Sequence, residues 1–145
     1  MCDIAIYTIA SMEEKRDKKK ILTVLTVEDD AFLSSLVENN LLKAGYDVIA
    51  TETGAEGLSH ALTEHPDIIL LDILLPDVGG LEVLRLLKNN DATKEIPVII
   101  FSNFGGHDDV KNGLALGACE YLVKSAVLPS EVTEIIRQKL SDITE

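Results

Sequence analysis

Asp72 closes a continuous apolar run, Ile68-Ile69-Leu70-Leu71, that lies between Pro66 and a turn cluster of Pro76, Gly79 and Gly80. A short apolar run bounded in this way fits a strand buried on both faces, as in a parallel sheet covered by helices. In such sheets ligands bind outside the carboxyl ends of the strands, so a carboxylate placed there is a candidate for chemistry. Taken alone, Asp72 could equally cap a turn or the next helix.

Three more strand ends carry reactive side chains. The run Ile21 to Val27 stops at Glu28, Asp29 and Asp30, the run Pro97 to Phe101 at Ser102, and the run Tyr121 to Val123 at Lys124. Asp30 suits the N-cap of the following helix, which would leave Glu28 and Asp29 as solvated loop charges. The alternative is that two of the acids face a cation. Carboxylates from two strands repel each other unless a hard divalent ion such as Mg²⁺ lies between them. With that ion the set suits transfer of a phosphoryl group to a carboxylate: Asp72 as nucleophile, Lys124 as a point charge on the phosphoryl oxygens, Ser102 as a hydrogen-bond donor to another of them.

The elements that must position these groups follow from apolar spacing. Phe32, Leu33, Leu36, Val37, Leu41 and Leu42 recur at helical intervals before a stop at Gly45. A strand spans Asp47 to Thr51, a helix from Gly54 carries Leu58, Ala61 and Leu62, and a third helix after Gly80 carries Leu81, Leu84 and Leu87. A fourth, after Gly105-Gly106, turns Val110, Leu114 and Ala115 inward and stops at Gly117; the last carries Val132, Ile135, Ile136, Lys139, Leu140 and Ile143. Five strands alternating with five helices predict a parallel sheet with right-handed crossovers and helices on both faces.

The chain has 145 residues, enough for one domain with a real core. Its net charge of −12 opposes docking on a nucleic-acid backbone. No apolar run approaches the length needed to insert in a membrane, and Ile4 to Ala10 is too short and preceded by Asp3, unlike a secretory signal. Residues 1–20, with a mixed charge run from Glu13 to Lys20, are expected to form a solvated extension before a domain over 21–145. Cys2 and Cys119 lack metal-like spacing and fit a reducing, cytoplasmic setting. His60, His65 and His107 are read as surface residues, and no glycine-rich phosphate loop is present.

Several motifs in order resemble a response-regulator receiver domain of two-component signalling. They are Val27-Glu28-Asp29-Asp30, Leu71-Asp72-Ile73-Leu74-Leu75-Pro76 with Gly80, Ile96 to Ser102, and Gly117-Ala118 with Tyr121-Leu122-Val123-Lys124. The resemblance covers Ile21 to Leu140. It implies a flavodoxin-like (βα)5 three-layer sandwich with sheet order 2-1-3-4-5. Asp72 would accept phosphate from a phosphohistidine on a sensor histidine kinase or phosphotransfer protein. Glu28 and Asp29 would hold Mg²⁺, with Asp29, Asp72 and the backbone carbonyl of Leu74 as direct ligands. Ser102 and Tyr121 match the switch hydroxyl and switch aromatic, although a lone strand Tyr also fits simple core packing. The implied activity is self-phosphorylation and self-dephosphorylation rather than turnover of a substrate. Output would pass through protein contacts of a monomer or phosphorylation-dependent dimer, on the face of helix four, strand five and helix five, where Lys111, Glu120 and Arg137 lie.

The chain departs from the family pattern at four places. Ser125 replaces the usual Pro after the lysine; since a cis non-proline peptide costs about 2.5–4 kcal/mol, a trans bond is expected, and the aim of Lys124 is open. Asn103 follows the switch hydroxyl where Ala is common. Leu74 and Phe104, two residues beyond Asp72 and Ser102, cannot orient water, so slow autodephosphorylation is expected. A phosphorylation-independent interaction scaffold is the alternative reading. A haloacid-dehalogenase-type phosphohydrolase is remote, because that family needs an acid where Leu74 stands.

Overall fold

A computed structural model describes residues 20–144. Five parallel strands, β1 (Thr23–Val27), β2 (Asp47–Thr51), β3 (Ile68–Leu71), β4 (Val98–Ser102) and β5 (Glu120–Val123), alternate with five helices. These are α1 (Ala31–Lys43), α2 (Gly54–Glu64), α3 (Gly80–Lys88), α4 (His107–Ala115) and α5 (Pro129–Thr144). The strand order is β2-β1-β3-β4-β5, the flavodoxin-like order that the receiver resemblance implies. The first strand starts two residues later than the apolar run suggests. The expected extension, apart from Lys20, lies outside the described residues.

Strand side chains alternate between the two faces, so each central strand feeds two cores. Val24, Ile68, Leu70, Ile99, Phe101 and Leu122 pack with Val37 and Leu41 of α1 and Val132, Ile136 and Leu140 of α5. Leu25, Val27, Ile69, Leu71, Val98 and Ile100 pack with Ala61 of α2 and Val83, Leu84 and Leu87 of α3. Three layers result, with the strand ends left uncovered.

Four helices expose residues of the expected stripes, α2 only at Leu62 and α5 only at Ile143. On α1, Val37 and Leu41 are buried, but Phe32, Leu36 and Leu42 are exposed. On α4, Leu114 and Ala115 face outward and Gly113 is the buried residue. A Cβ at Gly113 would stand 2.6 Å from Ile100 Cδ1 and 2.9 Å from Tyr121 Cδ2, so a missing side chain lets α4 sit close on the sheet. His65, at the end of α2, takes a left-handed conformation (φ 47°) and is exposed with His107, whereas His60 is half-buried.

Candidate functional site

Strand register brings the acids together. Val27 pairs with Leu71, so Glu28 and Asp72 follow as neighbours one residue past the strand ends. Each backbone is tied there: Glu28 N–H donates to Thr51 O and Asp72 N–H to Val27 O, both at 3.0 Å. Lys124 is fixed in the same way, its N–H donating to Ser102 O at 2.8 Å. The peptide to Ser125 is trans, as expected, there being no cis bond among the described residues. The lysine side chain then runs back across the Phe101 ring, Nζ 5.8 Å from its centroid.

Lys124 Nζ lies 2.5 Å from Glu28 Oε1 and 2.9 Å from Asp72 Oδ2. Glu28, Asp72 and Ser102 are buried, and Asp29 is exposed. Burial pushes the Glu28 carboxyl up to about 7 against the pull of Lys124, and the nearby Asp72 charge adds to the rise. Burial also opposes the charge on Lys124, but hydrogen bonds to Glu28 and Asp72 outweigh it and raise the ammonium above its ordinary range. Lys124 therefore stays charged.

Glu28, Asp29 and Asp72 each offer an oxygen within 4.8 Å of the others. An all-carboxylate donor set with one exposed member fits a hard cation such as Mg²⁺. The site opens into a cleft of about 220 Å³, lined also by Asp30, Leu74, Ser102, Asn103, Phe104 and Lys124. Asp30 does what a cap does: Oδ1 accepts from Phe32 N–H and Leu33 N–H, both at 3.1 Å, at the start of α1. Leu74 and Phe104 are 66% and 44% exposed, and their apolar side chains leave that part of the rim without a group that could hold a water.

The loop after β4 is fastened through the backbone of one residue, Phe104. Phe104 N–H donates to Ser102 Oγ at 3.2 Å, and Tyr121 O–H donates to the Phe104 carbonyl. Ser102 and Tyr121, paired in the sequence only by motif, thus grip the same residue from opposite sides. On the face expected for output, Lys111 is exposed, Glu120 pairs with Lys139 Nζ at 3.0 Å and Arg137 pairs with Glu134.

The loop after β3 holds a residue that sequence reasoning missed. Asp77 Oδ1 accepts from Gly54 N–H at 2.8 Å and Oδ2 from Ala55 N–H at 2.9 Å. The N–H groups of Ala55, Val78 and Gly54 hold its carboxyl below the usual carboxylate range. Capping patterns look just ahead of a helix, where Thr53 already serves α2 through Glu56 N–H, so an acid 23 residues away leaves no local signal.

Comparison with known proteins agrees with this geometry. The family described as response regulator receiver domain matches residues 24–137. The polar-differentiation response regulator DivK of Brucella ovis is 35% identical over 120 residues, covering 83% of this chain and 97% of DivK. Among solved structures, a CheY-like response regulator receiver domain protein from Methanospirillum hungatei superposes with a TM-score of 0.78 at 28% identity, over 85% of this chain and 96% of that one. The phosphorylated cyanobacterial phytochrome response regulator RcpA superposes with a TM-score of 0.71 at 28% identity, over 82% and 91%. Among the described residues no helix is long and apolar enough to cross a membrane.

Proposed function

The chain belongs to the response regulator receiver domain family, and from that premise we propose that it is a phosphorylation-driven switch whose phosphoacceptor is Asp72. The observation that carries this reading is the convergence of Asp72 with Glu28, Asp29 and Lys124 at one open strand edge. A carboxylate oxygen of Asp72 attacks the phosphorus of a phosphohistidine on a sensor kinase or phosphotransfer protein. The phosphorus–nitrogen bond breaks as the phosphorus–oxygen bond forms, and the imidazole nitrogen leaves with the electron pair and takes up a proton. Lys124, already charged and aimed by the β5 backbone, stays with the phosphoryl oxygens.

Glu28, Asp29, Asp72 and the Leu74 carbonyl are the groups that would hold Mg²⁺, which supplies neutralisation of the phosphoryl charge. Ser102 Oγ, turning toward a phosphoryl oxygen, releases Phe104 N–H. The loop that Tyr121 also holds is then free to rearrange, and the signal leaves through α4, β5 and α5. RcpA has been solved phosphorylated, which supports the same chemistry here. Apolar Leu74 and Phe104 give a slow hydrolysis of the aspartyl phosphate, so Leu74→Asn or Phe104→Glu is expected to shorten its lifetime.

Intact mass after incubation with acetyl phosphate and Mg²⁺ tests the reading. One added phosphoryl group is expected, absent from Asp72→Asn and from a chelator control. No gain with the small donor or with a phosphohistidine donor would contradict it and favour a constitutive interaction scaffold.

A further inference from the structure

We propose that Asp77 is a positioning residue: its carboxylate clamps the β3–α3 loop onto the first turn of α2 and so sets the place of the Leu74 carbonyl in the cation site. The consequence for Mg²⁺ rests on the receiver reading above, whereas the clamp itself does not. A helix leaves its first N–H groups without partners inside the helix. In α2, Glu56 N–H goes to Thr53 Oγ1 at 3.1 Å and Gly57 N–H to Thr53 O at 3.0 Å. The Gly57 bond is the first rung of the helix's own ladder, and the N–H groups ahead of it on Gly54 and Ala55 are both taken by Asp77, one by each oxygen. A carboxylate at a helix N-terminus also meets the positive end of the helix dipole.

Backbone packing reinforces the clamp. A Cβ on Gly54 would stand 3.0 Å from Val78 O and 3.0 Å from Val83 Cγ2, so α2 begins directly against the loop. At the loop's other anchor, Gly80 N–H donates to Ile73 O at 2.7 Å, and a Cβ on Gly80 would meet Asp72 O at 2.0 Å. Leu74 lies between Ile73, whose carbonyl Gly80 holds, and Asp77, with its side chain exposed. Its side chain therefore does little to place its own carbonyl, and the loop is held by Asp77 and Gly80 together with Leu75, which is buried in the core beneath it. Groups that orient a metal ligand without touching the metal typically change affinity by about 10–100-fold when removed.

The test uses the full chain as wild type, Asp77→Ala, Asp77→Asn, Gly54→Ala and, as a control on the same helix turn, Thr53→Ala. Amide hydrogen exchange of residues 73–79 without metal and the Mg²⁺ dissociation constant by calorimetry are measured, with thermal unfolding to confirm each fold. Asp77→Ala and Gly54→Ala are expected to exchange faster over 73–79 and to raise the Mg²⁺ dissociation constant by about tenfold. Asp77→Asn, keeping one acceptor, falls between. Thr53→Ala, which frays α2 without touching the loop, leaves both readouts near wild type. Wild-type exchange and affinity in the Asp77 variants, or an equal loss in Thr53→Ala, would overturn the clamp. Wild type that binds no Mg²⁺ would instead sink the receiver reading and the metal consequence, while the exchange data still decide the clamp.

Discussion

The loop after β3 and the loop after β4 border the same cleft and are built in opposite ways. The first is anchored by Asp77 on α2, by Gly80 against the Asp72 backbone and by Leu75 in the core. The second has its side-chain hydrogen bonds on the backbone of Phe104, to Ser102 Oγ and the Tyr121 hydroxyl, with Gly105 packed against Val123. Under the proposed switch the two loops would do different work. Groups that receive charge need a fixed place, which the first loop and the β1 and β3 ends supply. A group that reports occupancy needs a bond it can exchange, and Ser102 has one.

The largest expected effect comes from breaking the fixed side at Gly80. Gly80→Ala puts a Cβ against backbone that cannot step aside and should destabilise the protein by about 2–4 kcal/mol in denaturant unfolding. Neighbouring Gly79 has nothing within 4 Å of its Cβ position, so Gly79→Ala should be close to neutral. Equal losses at the two sites would remove the case for a tightly packed loop.

Next is the pH response of Glu28. Its folded pKa, about 7, is above the ordinary 4.5, so between those values the folded state binds more protons than the unfolded one. Stability in the absence of metal should therefore fall as pH rises from about 4.5 to 7, by on the order of 2–3 kcal/mol. Glu28→Gln should lose that slope, measured by urea unfolding across pH. A slope of the same size in the variant would place the effect on another group.

The smallest effect belongs to the yielding side. Tyr121→Phe removes one hydrogen bond to Phe104 and should cost about 1 kcal/mol or less. It should nevertheless speed amide exchange over residues 103–106 without changing it over 73–79. Faster exchange in both loops would mean that they are coupled and not separately held.

What could be read beforehand divides along the same line. Sheet order came with the receiver resemblance, whereas the places of Glu28, Asp72, Ser102 and Lys124 were legible because four apolar runs end at reactive side chains, and parallel topology sends those ends to one edge. Helix faces were less legible. Phe32, Leu36 and Leu42 extend the apolar arc of α1 beyond what the sheet can cover, and on α4 the inward residue is Gly113, which has no side chain to count. Asp77 was silent because its partners are distant in sequence, and the fastening role of Phe104 because its backbone, not its side chain, makes the bonds.

The account turns on which loop answers phosphorylation, and residue-level amide exchange with and without beryllofluoride and Mg²⁺, a phosphoryl mimic, measures that directly. Loss of the Ser102 acceptor predicts markedly faster exchange at Phe104, with changes spreading over 103–106 and into α4, while residues 76–80 stay protected as before. Exchange that changes over 76–80 and leaves Phe104 untouched would contradict it.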